Sequence, residues 1–387
     1  MAMRKSIESL QGSQIRLVVN AALGQPDVLR FWFGESDEVT PQAVRDAAAQ
    51  SIQSGETFYN QNLGIPELRE AISGYMARLH GPVPVERIAV TSSGVSGLML
   101  AAQLLLDAGD EVVAVTPVWP NLTQQCTIMG AKLRPVSLVP SNGQWGLDIG
   151  KLLSAVTAHT KVLIVNAPNN PTGWTLSKEE QLTILQHCRT TGTWIVADEV
   201  YERLYYEPTP HACAPSFLDI ADAEDRLVVA HSFSKTFLMT GWRLGWLVLP
   251  PSATPHVSKL IEFNTSCAPT FVQRAGVAAI AHEADITPAL VAHFRRCRDT
   301  LVPLLQALPG VHVQPAKGGM YAFFQIDGYN ESLPLAKRLV QEAGLGLAPG
   351  SAFAPEAEGW LRWCFASKDV ARLGQGVERL KDWLAKQ

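Results

Sequence analysis

The sequence contains few cysteines, and none of them stands in a pattern that binds metal. The six cysteines occupy positions 126, 188, 213, 267, 297 and 364, with no C-x-x-C pair and no spacing typical of zinc ligands. Scattered cysteines of this kind are typical of small buried side chains in a protein kept in a reducing compartment. The sequence therefore indicates no metal site.

Long apolar runs and an excess of basic charge are also missing. The longest apolar stretch near the start, Leu17–Val19, ends at Asn20, and no run approaches the roughly 18 apolar residues of a membrane span. The formal net charge is −4, which provides no basic surface for a polyanion. These absences argue against a signal peptide, a membrane partner and a nucleic-acid partner, and they predict a cytoplasmic protein.

The sequence does contain a regular alternation of strands and helices. A chain of 387 residues is long enough for a large α/β domain with a smaller partner. Near-continuous apolar runs, typical of strands buried on both faces, occur at Arg87–Thr91, Glu111–Thr116, Lys161–Asn166, Trp194–Asp198, Arg226–His231 and Leu244–Leu249. Helical stretches lie between them, such as Gly94–Leu106 and the helix that opens with the capping box Ser177–Glu180. The pattern predicts an α/β fold with a mostly parallel, mixed sheet flanked by helices.

The two ends of the chain do not follow this alternation. Thr40 and Pro41 are typical of the N-cap and first residue of a helix. Near the other end, a long helix over Ala289–Leu308 precedes short strands at Val311–Val313 and Met320–Gln325, and an amphipathic helix closes the chain. We predict an N-terminal arm with part of a small domain at 1–45, a large domain at 46–288, and a small α+β domain at 289–387.

The densest chemical signal surrounds Lys235. The segment Ser232-Phe233-Ser234-Lys235 follows a predicted strand, and Gly241-Trp242-Arg243-Leu244-Gly245 comes shortly after it. A desolvated lysine loses its proton more easily, and a neutral amine can attack an aldehyde to form a Schiff base. The hydroxyl of Ser232 and the guanidinium of Arg243 suit a phosphate. A lysine that reaches solvent beside a glycine turn would explain the same segment without any chemistry.

Two further strand ends carry polar residues. In Ala197-Asp198-Glu199-Val200-Tyr201, the carboxylate of Asp198 could cap the next helix or pair with a protonated ring nitrogen. The segment Asn166-Ala167-Pro168-Asn169-Asn170-Pro171-Thr172-Gly173 could be a rigid turn, or it could hold the Asn170 amide against a ring oxygen. Because ligands of mostly parallel sheets bind at the carboxyl ends of the strands, we expect these residues to share one site.

Four segments in this order resemble the fold-type I aminotransferases of class I/II, which depend on pyridoxal 5′-phosphate (PLP). They are Asn-x-Pro-x-Asn-Pro-Thr-Gly, Asp-Glu-Val-Tyr, Ser-x-Ser-Lys and Gly-x-Arg-x-Gly, and Lys235 follows Asp198 by 235 − 198 = 37 residues. The resemblance covers nearly the whole chain. It implies the PLP-dependent transferase fold and an enzyme that moves an amino group from an L-amino acid to a 2-oxo acid.

The resemblance also implies roles toward the cofactor. Lys235 would form the Schiff base and move protons, Asp198 would pair with the pyridine nitrogen, and Tyr201 would donate to the ring oxygen. The remaining cofactor-binding residues implied by the family pattern are Gly94 and Val95 through backbone amides, Trp119 by stacking on the ring, Asn170 at the ring oxygen, and Ser232, Arg243 and Tyr59 at the phosphate. Tyr59 matches a residue that reaches the cofactor of a neighbouring subunit, so the resemblance implies a homodimer with shared active sites.

For the substrate, the resemblance implies that Arg362 binds the α-carboxylate, with Gly34 and Asn170 beside it. Val95 stands where an aspartate-specific branch of the family has a lysine, and Phe31–Phe33 make the preceding segment unusually aromatic. These departures favour a neutral or aromatic donor over aspartate. An alternative reaction on the same fold, β-elimination or decarboxylation, would use the same residues and stays open at this point.

Overall fold

The computed structural model describes residues 3–8, 10–141 and 144–387. The helices are α1 Lys5–Glu8, α2 Gln14–Ala21, α3 Gln42–Gln53, α4 Pro66–His80, α5 Gly94–Leu105, α6 Pro120–Met129, α7 Ile149–Ala155, α8 Lys178–Thr191, α9 Thr254–Thr265, α10 Thr270–Ala281, α11 Glu283–Gln306, α12 Ser332–Ala343 and α13 Ala371–Leu384. The strands are β1 Leu29–Arg30, β2 Ile88–Thr91, β3 Glu111–Thr116, β4 Lys132–Ser137, β5 Val139–Ser141, β6 Gln144–Gly146, β7 Thr160–Asn166, β8 Trp194–Asp198, β9 Leu227–Ser232, β10 Gly245–Val248, β11 Val311–Val313, β12 Tyr321–Ile326, β13 Leu345–Gly346, β14 Ala348–Pro349 and β15 Trp360–Cys364.

A seven-stranded sheet in the order β2-β10-β9-β8-β7-β3-β4 dominates the structure. All neighbouring strands run parallel except β10, which is antiparallel to both β2 and β9. The register places Asn166 beside Asp198 at the ends of β7 and β8, and it places Gly245 beside Ser232 and Thr91. The predicted strand ends therefore meet at one edge of the sheet.

Two apolar cores cover the two faces of this sheet. Along β3, Val113 and Val115 belong to one core, whereas Val112 and Ala114 belong to the other. Because successive side chains of a strand point to opposite faces, a strand buried on both sides must be apolar at nearly every position. This explains why near-continuous apolar runs predicted the central strands correctly.

A third apolar cluster, which we call the C-terminal core, surrounds the antiparallel sheet β11-β12-β15-β14. It includes Leu361 and Trp363 of β15, and it also includes Ile15 and Val18 of helix α2. The short strand β1 joins the same region by pairing in parallel with β13. The beginning of the chain is thus packed against its C-terminal part.

Several element boundaries differ from the sequence prediction. Helix α3 begins at Gln42 rather than Pro41, and Thr40 does not cap it, because the Thr40 hydroxyl donates to the Leu238 carbonyl oxygen at 2.6 Å and accepts from the Trp242 indole at 2.9 Å. Helix α11 begins at Glu283, six residues before the predicted start at Ala289, and accommodates Pro288 within it. The capping box at Ser177 is confirmed.

Five of the six cysteines match the expectation of small buried side chains. All six cysteines are free thiols, and all but Cys267 are buried. No helix among the described residues combines the length and apolar character needed to cross a bilayer.

Candidate active site

A cavity of about 470 Å³ opens at the edge of the large sheet where the parallel strands end. Most of the residues predicted to act on cofactor or substrate line it together: Gly34, Gly94, Val95, Trp119, Asn170, Asp198, Tyr201, Ser232, Lys235, Arg243 and Arg362. The convergence follows from the strand register, because the segments after β2, β3, β7, β8 and β9 all leave the sheet at this edge.

Lys235 lies in the cavity with its amine directed at the segment before helix α3. Its Nζ donates to the carbonyl oxygen of Gly34 at 2.6 Å and lies 5.6 Å from the centre of the Tyr201 ring. Burial lowers the pKa of Lys235 to about 8. About a tenth of the amine is therefore neutral, and so nucleophilic, at pH 7.

Asp198 ends strand β8 with its carboxylate buried. Its Oδ1 accepts a 3.4 Å hydrogen bond from the backbone N–H of Val200, and its own carbonyl oxygen accepts from the Asn166 side chain at 3.0 Å. Burial raises the pKa of Asp198 to about 7, although the Val200 N–H and the positive charge of Lys235 act against the shift. Among the described residues Asp198 forms no ion pair, so this carboxylate would be stabilised by a cation held in the cavity.

The Asn-Pro-Thr-Gly segment forms a tightly bonded turn beside β7. The backbone N–H of Asn170 donates to the Asn166 side chain at 2.8 Å, and the side-chain oxygen of Asn169 accepts from the N–H of Thr172 at 3.0 Å and from its hydroxyl at 2.7 Å. These bonds fix Asn170, whose Oδ1 accepts from Nη1 of Arg362 at 2.8 Å. The turn thereby links the large sheet to strand β15.

Arg362 is buried, which rules out a surface ion pair. The central carbon of its guanidinium lies 4.4 Å from the centre of the Tyr321 ring and 4.8 Å from the centre of the Phe353 ring. The guanidinium also donates to the carbonyl oxygen of Trp32. Within the described ranges its Nε has no hydrogen-bond partner. A buried guanidinium with an unsatisfied donor that borders a cavity is well suited to bind a carboxylate.

The opposite side of the cavity has the features of an anion site. Helix α5 begins at Gly94, and the hydroxyl of Ser232 and the side chain of Arg243 border the same space. The backbones are so close here that a Cβ on Gly245 would lie 2.5 Å from the nitrogen of Gly94. Only glycine fits at position 245, because a side chain there would collide with the first residue of helix α5. The free N–H groups at the start of this helix can bind an anion.

Several residues of the cavity were not anticipated from the sequence. Tyr321 of β12 shares a 2.7 Å hydrogen bond between its hydroxyl and that of Tyr201. A Cβ on Gly34 would lie 2.1 Å from the Tyr321 hydroxyl oxygen, which explains the glycine at position 34. Ile15 and Arg16 of helix α2 also line the cavity. No local motif marks these residues, since they reach the site only through the packing of distant elements.

Tyr59 is the one predicted site residue that does not line this cavity. Its side chain is 88% exposed, next to Phe58, which is 83% exposed. Both border a shallow surface recess together with Glu56 and Arg274. Within a single chain Tyr59 therefore has no contact with the other predicted residues.

Comparisons with known proteins agree with this geometry. A family model described as aminotransferase class I and II matches residues 26–380. An aspartate aminotransferase of Pyrococcus horikoshii is 33% identical over 92% of this chain and 91% of its own length, and the aromatic-amino-acid aminotransferase 2 of Thermococcus litoralis is 28% identical over 98% of both. The solved structure of an aspartate aminotransferase from Thermotoga maritima matches 99% of this chain and all of its own, with a TM-score of 0.91 and 29% identity. The fold, the site and these similarities together show that the chain belongs to the class I and II aminotransferase family.

Proposed function

We propose that this protein transfers the amino group of a neutral or aromatic L-amino acid to a 2-oxo acid, with PLP held in the cavity at the sheet edge. The observation that carries the proposal is the placement of three groups in that cavity: a lysine with a lowered pKa, a buried carboxylate and a buried arginine. Among the described residues the carboxylate has no ion-pair partner and the arginine Nε has no acceptor. The lysine can bind an aldehyde, the carboxylate can bind a cation, and the arginine can bind a carboxylate.

The residues fit PLP at each of its functional groups. The N-terminus of α5, Ser232 and Arg243 would hold the phosphate, Asp198 would face the ring nitrogen, and Trp119 would stack on the ring. Asn170 and Tyr201 would hydrogen-bond the ring oxygen. When bound, PLP supplies an aldehyde that condenses with amines and a ring that accepts the electron pair left when a bond to Cα breaks.

The residues of the chain would supply binding, orientation and proton transfer. Arg362 would hold the α-carboxylate of the amino acid, which places Cα near Lys235. The neutral Nζ of Lys235 would then take the proton from Cα and return it to the carbon that came from the aldehyde. Asp198, as an anion, would keep the ring nitrogen protonated and so favour the loss of the Cα proton.

The lining beside Arg362 supports a neutral or aromatic donor. Val95, Leu98, Ile15 and Phe33 border the cavity and offer apolar surface to a substrate side chain. Val95 presents no charge at the position where the aspartate-specific branch of the family has a lysine. The relatives include aspartate and aromatic-amino-acid aminotransferases, so the donor is a question for experiment rather than for similarity.

Three further parts of the proposal concern the whole protein. The chain would be divided at 1–45, 46–288 and 289–387, would act as a homodimer in which Tyr59 reaches the partner subunit's site, and would work in the cytoplasm. β-Elimination and decarboxylation are not favoured, because the family match is to aminotransferases.

The proposal is tested by offering single amino acids to the PLP-loaded protein and following the loss of the visible absorption of the bound cofactor. Leucine, methionine and phenylalanine should give higher kcat/KM than aspartate, with a 2-oxo acid as product. An advantage for aspartate of more than about tenfold, or roughly 1.4 kcal/mol, would refute the donor preference. Ammonia, pyruvate or carbon dioxide as the main product would instead favour elimination or decarboxylation.

The cofactor is tested by replacing Lys235. Lys235→Ala should lose turnover and the visible absorption of cofactor joined to the protein, whereas Lys259→Ala, on the surface of helix α9, should keep both. Visible absorption in the Lys235→Ala protein that borohydride still fixes to the chain would show that another residue carries the cofactor.

A further inference from the structure

A second cation lines the same cavity as Arg362. Arg16 lies in the first turn of helix α2, where its backbone N–H donates to the side chain of Ser13 at 3.3 Å. Its guanidinium lies over the ring of Phe33, 5.3 Å from the ring centre, and borders the cavity. We propose that Arg16 binds the distal carboxylate of a dicarboxylic substrate, in particular of a dicarboxylic 2-oxo acid acceptor. This inference rests on the proposed aminotransferase function.

The charge of Arg16 has no counterpart within the described parts of the chain. The residue is exposed and forms no ion pair with any carboxylate in those ranges. Two acidic residues also border the cavity, Asp198 and Glu35, and the Glu35 carboxylate accepts a 3.3 Å hydrogen bond from the Thr240 hydroxyl. A guanidinium that rests on an aromatic face retains all its donors for a ligand.

The position of Arg16 relative to Arg362 is fixed by shared packing. Ile15 and Val18, on either side of Arg16 in the sequence, are buried in the C-terminal core with Leu361 and Trp363, which flank Arg362. A 2.6 Å hydrogen bond from the Ser351 hydroxyl to the Gln14 side chain holds the start of α2 in the same place. The segments that carry the two arginines are therefore packed into the same core.

The apolar part of the cavity lining suits a hydrocarbon chain. Ile15 and Leu98 are buried apolar residues of the cavity, and Val95 adds a further apolar side chain. A substrate with one carboxylate on Arg362 and the other on Arg16 would place its methylene groups against this surface. A neutral substrate would leave Arg16 on Phe33 and use the same apolar surface. One subsite would thus accept a neutral donor in one half of the reaction and a dicarboxylic acceptor in the other.

The test compares Arg16→Gln with wild type for a dicarboxylic and a neutral acceptor, 2-oxoglutarate and 4-methyl-2-oxopentanoate. We expect kcat/KM for 2-oxoglutarate to fall about 10- to 100-fold, the worth of a charge-assisted hydrogen bond, while that for the neutral acceptor changes less than about threefold. Arg30→Gln, which removes an exposed arginine outside the cavity, is the matched control and should change neither value.

A binding measurement gives an independent result. Glutarate, an unreactive dicarboxylate, should bind wild type more tightly than Arg16→Gln in a calorimetric titration, whereas butyrate should bind both proteins equally. Equal losses for both acceptors, or equal glutarate affinities, would overturn the role of Arg16. A wild-type protein that transfers no amino group to any acceptor would instead overturn the proposed function, and the two failures are therefore distinguishable.

Discussion

At the scale of single residues, Asp198 is the side chain that most clearly requires a positively charged ligand. Its carboxylate is buried at the end of β8 without an ion-pair partner among the described residues, so a protonated ring nitrogen would complete the site. Asp198→Asn keeps the shape and removes the charge. We expect the variant to retain PLP but to lose about 100-fold or more in kcat, since the ring nitrogen would no longer be held protonated.

The measurement is kcat at saturating substrate, with cofactor content determined on the same sample. Asp46→Asn, an exposed substitution on helix α3, is the control and should leave kcat unchanged. Turnover close to wild type in a fully loaded Asp198→Asn protein would rule out the role assigned to this carboxylate.

The raised pKa of Asp198 also predicts a pH dependence of stability in the cofactor-free protein. An unfolded aspartate ionises near pH 4, whereas burial holds Asp198 protonated up to about pH 7. Because the folded state binds more protons between these values, the free energy of unfolding should decrease by a few kcal/mol as the pH rises from about 4 to 7. Asp198→Asn should lack this component, which urea denaturation of both proteins across that range measures.

A difference in stability between the two proteins that stays constant from pH 4 to pH 7 would contradict this assignment. In the loaded wild-type protein the component should shrink, because Asp198 then faces a protonated nitrogen and gains from being ionised.

The residues that the sequence revealed and those it concealed differ in a physical way. Lys235, Asp198 and Asn170 follow strands of the large sheet, so their convergence depends only on local motifs and on parallel pairing. Tyr321 and Arg16 reach the cavity from the C-terminal core, through contacts between segments some 300 residues apart in the chain. Such contacts leave no trace in a local pattern, and neither residue could have been identified from the sequence alone.

At the scale of elements, a cluster of buried charged side chains stabilises the segment Asp198–Glu202. His80, at the end of helix α4, lies between Asp219, at 2.7 Å, and Glu202, at 3.0 Å, and Glu202 lies 3.5 Å from His231. Burial acts to lower the pKa of His80, but the hydrogen bonds to the two carboxylates outweigh it and raise the pKa to about 10. An imidazolium therefore joins α4 to the turn that carries Asp198 and Tyr201.

Replacing this imidazolium should destabilise the fold. His80→Ala would leave Glu202 buried without its closest cation, which costs about 3–5 kcal/mol in comparable buried pairs. The raised pKa stabilises the folded state fully below the ordinary histidine pKa of about 6.5, and this contribution is lost as the pH rises through about 10. The measurement is urea denaturation at pH 6 and pH 10.

The control for this variant is His312→Ala, because His312 forms an exposed pair with Asp327 and should contribute less than about 1 kcal/mol. The difference between wild type and His80→Ala should be smaller at pH 10 than at pH 6. Equal stability of His80→Ala and wild type at pH 6 would show that the buried cluster is not held by this charge.

The elements themselves were predicted unevenly. The central strands were located within one or two residues, because burial on both faces demands continuous apolar sequence. Strand β4 and the hairpin β5–β6 were missed, since β4 is an edge strand whose first four residues are exposed and carry no such run. The predicted start of helix α11, at Ala289, was too late, because a proline such as Pro288 is typical of a helix start. The buried residues Glu283 and Thr287 already belong to the helix.

At the scale of the whole molecule, the exposed Tyr59 leads to a prediction about subunits. Two adjacent aromatic side chains, Phe58 and Tyr59, lie in solvent when the chain is alone. If Tyr59 completes the phosphate site of the partner, Tyr59→Phe should weaken PLP binding in an intact dimer. The measurement is the PLP dissociation constant, with Tyr329→Phe on the C-terminal core as the control.

Hybrid dimers give the decisive test. Subunits with Lys235→Ala are mixed with subunits that carry a disabling change at Tyr59, so that one site of the hybrid has both lesions and the other has neither. Activity should recover toward that of one wild-type site. An inactive mixture in which hybrid dimers are demonstrated by mass spectrometry would show that each subunit builds its own site.

Packing Arg16 and Arg362 on one core has a consequence for how the protein measures its substrates. The distance between the two guanidinium groups would depend on how the core residues pack, because Ile15 and Val18 share the C-terminal core with Leu361 and Trp363. The preference between four- and five-carbon diacids would then depend on buried core residues as well as on residues that line the cavity. A buried residue such as Val18, which lines no part of the cavity, could alter that preference as effectively as a residue in contact with the substrate.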